Sequence, residues 1–168
     1  HKDANETKEN IERLGRKCIL IPGDLKKEEM SKVVVEKTIK YFGKIDILVN
    51  NHGVQFIQES ILDITAEQLD ETFKTNIYSF FYMTKAVLPH FKKGASIINT
   101  TSITAYQGEP LLIDYSATKG AILTFTRSLS QSLMDEGIRV NGVAPGPIWT
   151  PLIPSSYSAK EVETFGSG

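Results

Sequence analysis

The stretch KIDILVNNHG, residues 44–53, decides the fold. Ile45, Ile47, Leu48 and Val49 make a short apolar run, which Asn50, Asn51 and Gly53 end. A run of this length without polar alternation reads as a strand buried inside a sheet. Its flanks agree. KEEMSKVVVEKTIKYFG (27–43) repeats its apolar positions at helical spacing and stops at Gly43. Downstream, Thr65 stands three residues before Gln68, a capping-box spacing, and a long helix is predicted over about 66–92, with Pro89 near its end.

The same alternation continues outward. Residues 3–14 read as an amphipathic helix. KCILIPGD (17–24), ASIINTTS (95–102) and IRVNGVAP (138–145) read as further buried strands, and 113–136 as a helix closed by Gly137. A loop with Gly108 and Pro110 leads into that helix. The tail, residues 146–168, is rich in Pro, Ser and Gly and reads as a loop or substrate lid. Apolar strands separated by helices predict an α/β fold, a doubly wound parallel sheet covered on both faces. In such sheets ligands bind beyond the carboxyl ends of the strands. That rule selects Asp24, Asn50 to Gly53, Ser102 and Pro145 to Thr150, distant in sequence but expected along one rim.

Bulk properties narrow the function. A chain of 168 residues, 40% hydrophobic and 23% charged, suits one globular domain. A net charge of −1 gives no attraction to nucleic acid or to an anionic membrane. No apolar run reaches the roughly 18 residues a membrane helix needs, and the opening HKDANETKEN is polar, unlike a signal peptide. Cys18 is the single cysteine, so no internal disulfide forms, which fits a cytoplasmic protein; within its apolar run it reads as a small core residue. His1 and His90 have no metal-binding spacing, and no metal site is expected.

A second stretch, DYSATKGA (114–121), carries the chemistry. Tyr115 and Lys119 project from one helix face. By itself the pair also fits an exposed helix surface. A free tyrosine has a pKa of about 10, too high for proton exchange at neutral pH, and a neighbouring ammonium lowers it. Ser102 adds a hydroxyl at the end of the preceding strand, placed to hold a carbonyl oxygen.

Over nearly its whole length the chain resembles a classical short-chain dehydrogenase/reductase. NNHG at 50–53 resembles the family's Asn-Asn-Ala-Gly, with His52 in the alanine position. Asn76 matches its catalytic asparagine, Ser102 its serine, and YSATK at 115–119 its Tyr-x-x-x-Lys. PGPIWT at 145–150 matches the segment that meets the nicotinamide. Asp24 matches the acidic residue near the adenine, although it also suits a cap for the next helix. The closer resemblance is to a branch related to glucose and ribitol dehydrogenases.

The resemblance implies a Rossmann-type dinucleotide-binding catalytic domain. It implies hydride transfer between NAD or NADP and an alcohol or carbonyl substrate. Tyr115 would be the acid/base, and Lys119 would tune it and bind the nicotinamide ribose. Ser102 would polarise the substrate oxygen, and Asn76 would hold a relay water. Asp24, Leu25, Asn50, Asn51, Gly53, Tyr115, Lys119, Pro145, Gly146, Ile148 and Thr150 would contact the cofactor. His52 would line the cofactor cleft passively. A homo-oligomer, dimer or tetramer, would form through the helices at about 66–92 and 113–136. The aromatic run YSFFYM (78–83) fits that interface or packing against the sheet. The family also begins with a strand, a glycine-rich turn and a helix that holds the pyrophosphate, and it continues past the lid through a helix and a strand. None of these segments is found here, so the sequence reads as the middle of the domain. The alternative is a truncated, non-catalytic remnant or assembly module that keeps the site residues without binding a dinucleotide.

Overall fold

A computed structural model describes residues 2–156 and 162 of the chain. The order of elements is α1 (Lys2–Arg13), α2 (Glu28–Phe42), β1 (Ile47–Asn50), α3 (Ala66–Phe73), α4 (Ser79–Val87), β2 (Ser96–Thr100), α5 (Thr104–Gln107), α6 (Ile113–Ser132), β3 (Arg139–Val143) and α7 (Leu152–Ser156). The strands pair in the order β1-β2-β3, all parallel. Parallel neighbours need long crossovers, and the helices between the strands supply them.

The register sets Leu48, Ile97 and Val140 side by side. These three pack against Val35 of α2 and Met83 and Val87 of α4, together with Leu133 and Ile138. A second cluster, Ile77, Phe80 and Ile122, joins the region of α4 to α6, with Phe73 and Phe125 alongside. Phe80, Ile97 and Ile122 are completely buried, and each such side chain contributes about 1.5–3 kcal/mol.

The opposite face differs. Ile47, Val49 and Val143 are 59%, 54% and 52% exposed, and α1 buries none of its residues. The described residues therefore cover one face of the sheet. The run 17–24 also departs from expectation: it takes no place in the sheet, whose edge on that side is β1. Apolar character favours burial, but a strand exists only where a neighbour shares its ladder.

The long helix predicted over 66–92 is interrupted. Between α3 and α4 lies a π-helical turn, Lys74–Tyr78, and after α4 a 3-10 turn, Leu88–His90, holds Pro89. Thr65 caps α3 by accepting from the Gln68 N–H at 3.1 Å. The reciprocal half of the capping box is not made, because the Gln68 side chain is engaged elsewhere. Gly43 ends α2 with φ 83°, in the left-handed region that glycine tolerates. The proposed lid over 146–168 contains α7, and most of it after Ser156 lies outside the described residues. No helix among the described residues is long and apolar enough to cross a membrane.

Candidate active site

The site grows from the carboxyl ends of β1 and β2. Asn50 and Asn99 occupy the same register position and are almost completely buried. The Asn50 amide donates to Asn99 Oδ1 at 3.0 Å, and the Asn99 amide donates to Thr126 Oγ1 of α6, also at 3.0 Å. A polar ladder thus crosses the apolar layer. Leaving one buried member unpaired costs about 1–3 kcal/mol, so each partner constrains the next. Asn51 continues the rim, accepting from the Thr100 hydroxyl at 2.9 Å.

Asn76 lies within the π turn and is 0% exposed, which excludes a solvated surface residue. Its Oδ1 accepts from the Val54 N–H at 2.8 Å, and its Nδ2 donates to the Val54 carbonyl at 2.8 Å and to Thr118 Oγ1 at 3.1 Å. One side chain therefore ties the loop after β1 to α6. Single π turns inside helices recur at functional sites, because they displace one turn of side chains. Gly53 lies against this junction. A Cβ there would come within 3.3 Å of Asn76 Oδ1 and 3.7 Å of Lys119 Nζ.

Lys119 is 3% exposed. Its ammonium donates to the Thr100 carbonyl at 2.9 Å and stands 5.4 Å from the centre of the Tyr115 ring. Burial lowers its pKa from 10.5 to about 8, because desolvation penalises the charged form. Thr101 fixes the same helix turn to the end of β2 by donating to the Lys119 carbonyl at 2.8 Å. The next residue, Ser102, is buried, and its Oγ accepts from the Thr104 N–H at 3.1 Å. Tyr115 is also buried, so the exposed-pair reading of YSATK does not hold. Asn76, Gly53, Tyr115 and Lys119 are thus brought together, with Ser102 one residue beyond the Thr101 anchor.

The outer residues are looser. Asp24 is exposed and forms a turn, its Oδ1 accepting from the Lys26 N–H at 3.1 Å. It does not cap α2, whose N-cap position is Lys27. Leu25 packs against the core. The Pro145 carbonyl accepts from the Ile103 N–H at 3.0 Å, while Gly146, Ile148 and Thr150 are exposed.

His52 is gripped by α4. Its ring meets Phe80 edge-on at 4.9 Å, and Nε2 lies 2.5 Å from Ser79 Oγ. Ser79 gives its own proton to the Thr75 carbonyl at 2.6 Å, which leaves His52 Nε2 as the donor. Burial, followed by the Lys119 charge, lowers the His52 pKa from 6.5 to about 4. In the aromatic run, Phe80 is core while Phe81 is 46% exposed and lies 4.3 Å from the Phe125 ring of α6. Packing in the cluster between α4 and α6, rather than on the sheet, therefore accounts for Phe80 and not for Phe81.

Two features escaped the sequence reading. Lys26 pairs with both carboxylate oxygens of Glu71, at 2.9 and 2.8 Å, across 45 positions that no local pattern connects. Asp114 is 3% exposed. It stands beside Tyr115 in the stretch already singled out, and an acidic residue in a first helical turn was the available signal.

Comparison with known proteins gives the family. A family model described as enoyl-(acyl carrier protein) reductase matches residues 1–166. The chain belongs to this family, that of the classical short-chain dehydrogenases/reductases, and is glucose/ribitol dehydrogenase-like within it. It is 65% identical over 167 residues to the oxidoreductase YhxC of Bacillus subtilis, covering 99% of this chain and 59% of that protein. It is 50% identical over 170 residues to a glucose and ribitol dehydrogenase of Daucus carota, covering 99% of this chain and 58% of the relative. The chain therefore spans about three fifths of the length of these relatives. A short-chain dehydrogenase of Burkholderia cenocepacia, solved in complex with NADP, superposes with a TM-score of 0.87 at 29% identity, covering 96% of this chain and 66% of that one.

Proposed function

We propose that the complete protein is an NAD(P)-dependent oxidoreductase that interconverts a secondary alcohol and a carbonyl, with Tyr115 as its acid/base. The observation that carries this reading is the buried Lys119 ammonium, 5.4 Å from the centre of the Tyr115 ring and held by the Thr100 carbonyl at 2.9 Å. A cation kept there favours the phenolate and brings the phenol toward neutral working pH.

The residues present fit the nicotinamide half of a dinucleotide. Lys119 is a multiple donor suited to ribose hydroxyls. The space beside it is one that any side chain at position 53 would enter. Asn50, Asn51, Pro145, Gly146, Ile148 and Thr150 would complete the contacts, and Asp24 with Leu25 would meet the adenine. When bound, the nicotinamide supplies or accepts the hydride. Tyr115 gives a proton to the carbonyl oxygen in reduction and takes one from the alcohol in oxidation. Ser102 holds that oxygen by hydrogen bonding. Asn76 keeps the loop after β1 and the turn of α6 in fixed relation, and a proton relay to solvent would begin beside it.

Tyr115→Phe tests the reading. In the complete protein it is expected to lower kcat by about 10²- to 10⁴-fold, with cofactor affinity nearly unchanged. Rates near those of the parent would reject the assignment. We assign the surface formed by exposed Phe81 and partly buried Phe125 to a subunit interface of a homo-oligomer. Phe81→Asp should then reduce the assembly size seen by light scattering, since burying a charge at an apolar contact is costly. An unchanged assembly would leave this surface facing solvent.

A further inference from the structure

We propose that Asp114 is a positioning residue for Tyr115, acting through a chain of hydrogen bonds that begins at Gln58. The inference rests on the reading of Tyr115 as the acid/base.

Asp114 immediately precedes Tyr115 and is 3% exposed. Its two oxygens meet three donors. Oδ1 accepts from the Tyr115 N–H at 2.8 Å. Oδ2 accepts from Gln68 Nε2 at 3.0 Å and from Thr72 Oγ1 at 2.8 Å, both on α3, the one Thr72 hydroxyl proton lying also within reach of the Gln68 carbonyl at 2.9 Å. Beyond them, Gln68 Oε1 accepts from Gln58 Nε2 at 2.6 Å, and the Gln58 N–H donates to the Leu111 carbonyl at 3.0 Å. The chain of bonds therefore links the segment after β1, the start of α3, the loop before α6 and the backbone of Tyr115 itself.

The chemistry of the position is selective. A carboxylate accepts from all three donors. An amide of the same shape has one acceptor oxygen, and its NH₂ would face a donor. The Tyr115 N–H belongs to the first turn of α6, whose amides have no partner within the helix. Its capture by Asp114 fixes the backbone that aims the phenol past Lys119. Gln68 makes no reciprocal capping-box bond and spends both ends of its amide in this chain instead. Thr118 secures the following turn, donating to the Tyr115 carbonyl at 2.7 Å. Tyr115 is thus held at its N–H by Asp114 and at its C=O by Thr118.

The test compares Asp114→Asn, Asp114→Asn/Gln68→Glu and Tyr115→Phe in the complete protein. Rates are measured with whichever ketone or secondary alcohol the parent turns over fastest, and cofactor Kd by fluorescence titration with NADH and NADPH. Asp114→Asn is expected to lower kcat about 10- to 100-fold, the scale of a small misplacement of a reacting group, with Kd nearly unchanged. The double variant moves the carboxylate to position 68, where it accepts from the introduced amide and from Gln58. It should recover most of kcat. A folded Asp114→Asn whose kcat stays within about 2-fold of the parent overturns the proposal. So does a double variant that regains the parental melting temperature but not kcat, since the role is then structural only. If Asp114→Asn does not fold, Gln68→Met decides, because it leaves Asp114 bonded to Tyr115 and Thr72. It should lower kcat about 3- to 10-fold without changing Kd, and an unchanged kcat rejects the inference. An active Tyr115→Phe would instead remove the underlying reading. An inactive Tyr115→Phe beside an unimpaired Asp114→Asn removes only the role of Asp114.

Discussion

Asn50, Asn76, Asn99, Thr118 and Lys119 are each no more than 3% exposed and hydrogen-bonded to residues on other elements. Asp24, Ile148 and Thr150, expected at the two ends of a dinucleotide, are exposed, and among the described residues Asp24 bonds within its own turn. The centre of the site is therefore assembled by the fold, and its perimeter is left open. Preorganised groups contribute most where charge develops, whereas exposed contacts add modest binding energy. Substitutions at the centre should thus change kcat or the response to pH, and those at the perimeter should change cofactor KM.

Lys119→Met should produce the largest departure. It removes the ammonium beside Tyr115 and the proposed ribose donor together, so kcat should fall about 100-fold or more and cofactor binding should weaken. The pH profile gives the sharper reading. With its pKa lowered to about 8, Lys119 is charged below that value and supports the phenolate there. Its support fades as pH rises through about 8. Without it the phenol ionises later, and the acid limb of the alcohol-oxidation profile should move upward. An unshifted limb together with normal cofactor affinity would put Lys119 outside the chemistry.

His52 gives an intermediate effect, on stability. Its folded pKa is about 4 against an ordinary 6.5, so the unfolded chain binds the proton more readily. The contribution is complete above about 6.5 and is lost as pH falls toward about 4. The urea midpoint of the complete protein should therefore drop over that window, and His52→Ala should drop less steeply. Parallel slopes would mean that His52 titrates as it does in the unfolded chain.

The smallest effect belongs to the perimeter. Asp24→Ala should raise cofactor KM only about 2- to 5-fold and leave kcat unchanged. A fall in kcat comparable to that of Lys119→Met would erase the distinction between centre and perimeter.

How much of this was legible beforehand depended on the range of the interactions. Strands β1, β2 and β3 were readable because continuous apolar runs between helices leave few alternatives. YSATK was readable because residues four apart share a helix face, and Gly43 marked the end of α2 through the left-handed φ that glycine tolerates. Those features are local, and the sequence by itself determined them. Gly137, expected to close a helix over 113–136, lies instead five residues past the end of α6 at Ser132. Only the tertiary structure decided that 17–24 takes no place in the sheet, since ladder formation depends on a neighbouring strand. It alone showed the π turn around Asn76, held by Val54 and Thr118 from other parts of the chain. It also showed that Gln68, spaced for a capping box, turns its side chain to Asp114 and Gln58. In each case the deciding partner lies far away in sequence, and a buried polar group goes where its hydrogen bond can be made.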